Sequence, residues 1–362
     1  MSSSAIAIPQ GKTAVDVSII DTKAEVGPLE VEYFLKPGPV GAHKIFEGSA
    51  YYCFLIHHKP SNTRLLYDLA LRKDIQNLSP SMRKGIEQGG WDVKVPTDVA
   101  DVLISNNIPL ESINGIIWSH HHWDHIGDPS TFPSTTSLIV GSGFKKEFLP
   151  AYPENPDSPL TEDAFVGREL VELDFSGPDA IRVGGYAAID YFKYGSFYFL
   201  DTPGHTVAHV SALARTTAGD DSTFMLMGGD VAHHAGEFRP SPFTPLPAEI
   251  RPDPRKPPFQ RHAEGSFCPG SMFEEMHRGA IERSLDPRTT PFYQVTGAHN
   301  EEVAQESADA LQPFDGNDNV FTAIAHDTSL AGIVDFFPKG ANEWKAKGWK
   351  REGHWRFLND FI

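Results

Sequence analysis

INGIIWSHHHWDHIGD, residues 113–128, is the stretch from which the rest of the chain is read. Its first six residues are mostly apolar and read as a buried strand. That strand runs without a linker into His120, His121, His122, Trp123, Asp124 and His125. In extended backbone, residues i and i+2 point the same way, so His120 and His122 can converge on one cation while His121 and Trp123 point elsewhere. A turn into helix after Trp123 would bring Asp124 and His125 round to a second cation. Imidazole nitrogen with carboxylate oxygen suits Zn²⁺, with Mn, Fe or Co as substitutes. A histidine-rich surface loop is the competing reading, but three spaced histidines and an aspartate at a strand end favour the metal.

Two cations need more ligands than one stretch supplies. Three further residues occupy the same kind of place, just beyond an apolar strand: His205 in TPGHT after SFYFL, Asp230 in GGD after TFMLM, and His326 in AHD after VFTAIA. Glycines beside the first two permit tight turns. A carboxylate such as Asp230 can bridge two ions, with the histidines completing one site each. Other strands are expected at 51–58 and 64–71, paired as a hairpin across KPSNT, at 137–141, within 191–200 around a turn at Gly195, and at 209–215. Val99, Val102, Leu103 and Ile104 give a helical pattern. Strands in both halves with helices interspersed predict an α/β (α+β) chain.

The set HHHWDHIGD, TPGHT, GGD and AHD, in this order, resembles the metal-ligand motifs of the metallo-β-lactamase superfamily. His120, His122, Asp124, His125, His205, Asp230 and His326 match its seven-ligand dinuclear form, which is similar to N-acyl homoserine lactonases and glyoxalase II. The resemblance implies an αββα four-layer sandwich, with two mixed sheets face to face, helices outside, and the metals at one edge. It implies a lactonase or lactamase that opens a cyclic ester or amide with a hydroxide bridging two zinc ions, and Asp124 passing a proton to the leaving atom. Asp68 in LLYDLAL falls where the family places a residue that orients a ligand histidine. Redox members carry glutamate at the place of His122, so this chain does not match them. Bacterial lactonases carry a tyrosine three residues after the bridging aspartate, and here His233 stands there. It would support the oxyanion or act as general acid, with His234 as the backup. The GGD-x-x-HH block with a long insertion looks like filamentous-fungal members, some of which open cyclic amides such as benzoxazolinones.

Composition bounds the alternatives. The chain has 362 residues, with 31 basic against 48 acidic side chains, a net charge of −17. Nucleic acid or an anionic membrane is therefore not the expected partner, and a nuclease reading is disfavoured. A small-molecule cyclic ester or amide is the expected substrate, and a homodimer is allowed. A glyoxalase II-like thioester hydrolase is the alternative enzyme, and a metal-binding protein without turnover is the reading from another class. The start, MSSSAIAIPQ, lacks the pattern of a secretory signal, and Cys53 and Cys268 are the only cysteines, so a cytoplasmic protein with free thiols is expected. Residues 1–12 read as a flexible tail and 13–362 as one domain. Segment 236–271 holds nine of the 29 prolines and reads as a stiff insertion, either a lid whose phenylalanines pack or a surface arm. His262 within it is a candidate substrate contact. Segment 341–362, with Trp344, Trp349 and Trp355, is expected to pack on the sandwich or on a neighbouring subunit.

Overall fold

The computed structural model describes residues 6–38, 50–259 and 266–362. The first sheet has six strands in spatial order: β1 (Asp16–Asp21), β2 (Tyr52–His58), β3 (Thr63–Tyr67), β4 (Gly115–Ile117), β5 (Ser137–Val140) and β6 (Leu170–Glu172). β1 to β3 pair antiparallel and β3 to β6 parallel. The second sheet also has six: β7 (Ala180–Val183), β8 (Tyr186–Asp190), β9 (Phe197–Asp201), β10 (Val210–Arg215), β11 (Phe224–Met227) and β12 (Val320–Ala323). Its pairs are antiparallel except the last, β11 with β12.

Period-two alternation sorts the side chains into layers. Tyr52, Phe54 and Ile56 of β2 with Leu65 and Tyr67 of β3 join Phe197, Phe199, Ala212, Ala214, Met225 and Met227 in the core between the sheets. Cys53, Leu55 and Leu66 face the other way, into a cluster with Ile86 of α1 (Pro80–Gly89) and Val99 and Leu103 of α2 (Val99–Ser105). On the far face of the second sheet, Tyr198, Leu200, Leu213 and Leu226 pack with Leu311 and Phe314 of a long helix, Glu301–Asp315. The order of layers is helix, sheet, sheet, helix. Each fully buried Leu, Ile or Phe contributes roughly 1.5–3 kcal/mol, and the layers are held chiefly by this term.

Local chemistry sets several boundaries. α1 starts where Ser79 Oγ accepts from Met82 N at 3.3 Å and Pro80 opens the first turn. The β2–β3 hairpin closes through Asn62, which adopts a left-handed conformation at φ 52°.

Three expectations need correction or completion. Residues 6–12 are docked, not frayed: Ile6 and Ile8 pack on the outer cluster, and the Pro9 carbonyl accepts from Arg215 Nη2 at 2.7 Å. The apolar run 191–200 is not a pair of strands, because β8 ends at Asp190. Tyr191 and Phe192 instead turn over the inter-sheet core. Segment 236–271, where described, packs largely as part of the outer layer. Phe238, Leu246, Ile250 and Cys268 are buried in the outer layer of the second sheet with Phe357 and Phe361, and Phe259 is exposed.

The C-terminal segment divides between two layers. Trp344 and Trp349 enter the inter-sheet core, and Trp355, Phe357, Leu358 and Phe361 join the outer cluster. Asn342 stitches this segment to the N-terminal strand: its Oδ1 accepts from Val17 N, and its Nδ2 donates to Val15 O and Thr216 O, all at 2.8 Å. No helix among the described residues is long and apolar enough to cross a membrane.

Candidate metal centre

β4 delivers the histidine run to one edge of the sandwich. Trp118 N still donates to Ile139 O at 3.0 Å, and then the chain leaves the sheet. His125 N and Ile126 N both donate to His122 O, winding a single helical turn, α3 (Trp123–Ile126), which swings Asp124 and His125 back to the same edge. His205 arrives through the Thr202–Pro203–Gly204 turn after β9. At Gly204, φ is +122°, and a Cβ would stand 2.1 Å from Ala304 N, so only glycine allows this approach. Asp230 arrives through Gly228–Gly229 after β11. A Cβ at Gly229, where φ is +55°, would come within 2.8 Å of Ser119. His326 follows β12.

The donor atoms fall into two groups: His120, His122, His205 and Asp230, then Asp124, His125 and His326, each within 4.8 Å of one another. Asp230 stands between them. Its Oδ2 lies 3.5 Å from His205 Nε2 and 3.8 Å from His120 Nε2, and its Oδ1 lies 3.2 Å from both His125 Nε2 and His326 Nε2. Asp124 Oδ2 is 3.7 Å from His125 Nε2 and 3.6 Å from His326 Nε2. His122 Nδ1 lies 3.1 Å from His205 Nε2.

Other residues fix how these rings face. Asp68, buried and at φ 58°, accepts from Ser119 N at 2.7 Å, Ser119 Oγ at 2.8 Å and His125 Nδ1 at 2.9 Å. Ser119 Oγ in turn accepts from His120 Nδ1 at 3.0 Å. His326 Nδ1 donates to Ala50 O at 2.8 Å. In the neutral ring, each bond takes the Nδ1 proton outward and leaves Nε2 as a lone pair facing inward. His209 works on the backbone instead. Its Nε2 accepts from Asp230 N at 3.0 Å, and its Nδ1 donates to Thr202 O at 2.9 Å.

The donor set fits a pair of cations. The Nε2 atoms of His120 and His125 and the Oδ1 of Asp230 are buried without a hydrogen-bond partner. Such atoms are costly unless something coordinates them. Burial and neighbouring histidines hold His120 and His205 well below the ordinary imidazole range, and burial takes His122 down to about 4. These rings are neutral, the form that binds a cation. Burial also works against the ionised forms of His125 and Asp230, but each is outweighed by the other and its neighbours: His125 stands well above its usual range, beside Asp230 and Asp124, and Asp230 well below. The aspartates thus concentrate negative charge that calls for positive charge here.

The remaining sequence candidates separate. His233 is buried at the site, with Nε2 3.5 Å from Asp230 Oδ2 and its ring edge-on to His205 at 4.8 Å and Phe34 at 5.1 Å. His234 points away and cannot serve as its backup: Nδ1 accepts from Gly236 N at 3.0 Å and Nε2 lies 3.1 Å from Asp360 Oδ2. Asp68 sits behind His125. His262 lies outside the described residues. Sequence reading passed over Ser119, His209 and Glu237. The first two stand directly beside the ligand motifs, which was the available signal. Glu237 carried none.

No family model matches the chain. The gamma-lactamase FDB1 of Fusarium pseudograminearum is 44% identical over 364 residues, spanning 98% of this chain and 84% of that protein. The metallo-hydrolase mfmC of Annulohypoxylon moriforme is 36% identical over 368 residues, spanning 99% of this chain and 90% of that protein. Among solved structures, a quorum-quenching N-acyl homoserine lactone hydrolase superposes with a TM-score of 0.55 at 13% identity, covering 91% of this chain and 100% of that one. This last likeness is one of fold.

Proposed function

The chain belongs to the metallo-β-lactamase superfamily, and we propose that it is a metal-dependent hydrolase that opens a cyclic amide or cyclic ester of a small molecule. The observation that carries this is Asp230, whose two oxygens face two separate groups of inward-pointing donors. The name of the gamma-lactamase relative favours a five-membered cyclic amide.

His120, His122 and His205 would hold one ion, Asp124, His125 and His326 the other, and Asp230 both. The donor types suit zinc, with manganese, iron or cobalt as substitutes. When bound, divalent ions supply Lewis acidity toward a carbonyl and lower the pKa of water from about 15.7 to about 7. The protein's own groups do the rest. Asp124, partly exposed at the mouth, would take up the proton given up by the attacking water and pass it to the departing nitrogen or oxygen. His233, facing the same oxygen of Asp230 as His205, donates a hydrogen bond to the oxyanion. Asp68, Ser119 and the Ala50 carbonyl keep the ligand rings turned inward.

The test is turnover by purified, zinc-loaded protein of a panel of γ-lactams and lactones, with elemental analysis alongside. Ring opening with two metals per chain is the expected result. Turnover of acyl-glutathione thioesters alone would replace this reading with a thioesterase. Full metal content without any turnover would leave a binding protein.

A further inference from the structure

We propose that Glu237 is a positioning residue that fixes His233 against Asp230, the carboxylate that would bridge the two ions; the inference rests on the role given to His233 above. Glu237 is fully buried, and among the described residues it forms no ion pair with a lysine or arginine. Its Oε2 accepts from His233 N at 2.5 Å and from His234 N at 3.2 Å. Its other oxygen, Oε1, is buried without a hydrogen-bond partner, a cost that closing a turn does not by itself require. What this carboxylate accomplishes is to hold two successive N–H groups in the turn that follows Asp230, and so to set where the His233 ring stands. With the backbone held, that ring lies between His205 and Phe34, with Nε2 toward Asp230 Oδ2.

The clamp is closed from behind. Gly236 O accepts from Tyr293 N at 2.9 Å, and a Cβ at Gly236 would stand 2.9 Å from the Tyr293 ring. His234 reaches Asp360 in the C-terminal segment. Glu237 is sealed off by this layer and does not touch substrate. It acts through His233.

A double-mutant cycle tests this, reading kcat, KM, metal content and melting temperature for Glu237→Ala, Glu237→Gln, His233→Ala and the double variant. Glu237→Ala should lower kcat about tenfold with KM and two-metal stoichiometry retained, and Glu237→Gln, whose amide oxygen accepts the same bonds, should recover to within about threefold. The double variant should be no slower than His233→Ala alone. Multiplicative losses in the double variant, or a Gln variant as slow as Ala, would overturn the role of Glu237 while leaving His233 in place. A His233→Ala enzyme with unchanged kcat would overturn the parent reading. If Glu237→Ala does not fold, Glu237→Asp, one methylene short of both N–H groups, carries the same cycle.

Discussion

The two walls of the metal centre are built by different means. On the wall from the first sheet, the locks act on side chains: Asp68 takes the Nδ1 proton of His125, and Ser119 takes that of His120. On the wall from the second sheet, the Ala50 carbonyl turns His326 in the same way, but Asp230 and His233 are placed through the backbone: His209 accepts from Asp230 N, and Glu237 accepts from His233 N. An imidazole that is to hold a cation must be told which nitrogen to present, and a bond to the other nitrogen does so. A carboxylate has no such choice and needs only its place in space, which a backbone bond supplies. The second wall is also braced from outside. Arg239, two residues after Glu237, is buried and bidentate to Asp315 at 2.8 and 2.6 Å and donates to His354 O.

Breaking a ligand on the first wall should give the largest effect. His122→Ala or Asp124→Asn should reduce ring opening to background, with metal loss visible by elemental analysis for His122→Ala. Next in size is the brace. Asp315→Ala should destabilise the fold by about 3–5 kcal/mol in chemical denaturation, because Arg239 would be left buried and unpaired. The pH sense is fixed. Burial alone would raise the Asp315 carboxyl, but Arg239, His354 and Lys350 outweigh it and hold it well below the usual range. Its contribution is therefore fully present above about pH 4 and is lost as pH falls through the depressed value, so the variant should differ least from wild type in strong acid. Asp68→Ala should weaken metal binding by about 10–100-fold in chelator competition with modest loss of stability, the mark of a ring lock. Smallest, His209→Ala should cost about 1–3 kcal/mol of stability by leaving Asp230 N unpaired. If it weakened metal binding more than Asp68→Ala does, the contrast between the two walls would be wrong.

Much of this centre was legible in the sequence because each donor follows an apolar strand, and period-two alternation says which neighbours share a side. The same rule separates His233 from His234. Residue 234 is extended at φ −144° and ψ 142°, and successive side chains there take opposite sides. What alternation cannot say is which of the two faces Asp230. The sandwich was legible through the motifs and the strongly apolar strands β2, β9 and β11. Short strands such as β6 and β7, with exposed polar positions, left no pattern, and β1 was masked by its mixed residues. The docking of residues 6–12 depends on the buried Arg215 more than two hundred positions away. Glu237 was illegible because its meaning lies in two N–H groups rather than in any side-chain partner.

The stitch between Asn342 and β1 reaches beyond the folded state. The layer between the sheets takes Val17 from near the start of the chain and Trp344 and Trp349 from near its end. Contacts this distant in sequence form slowly. During translation the sandwich must wait, with apolar interior showing, until residues 342–349 have emerged from the ribosome. A nonsense codon between His326 and Asn342 would thus release a chain that holds every metal ligand yet is apt to aggregate before it can use them.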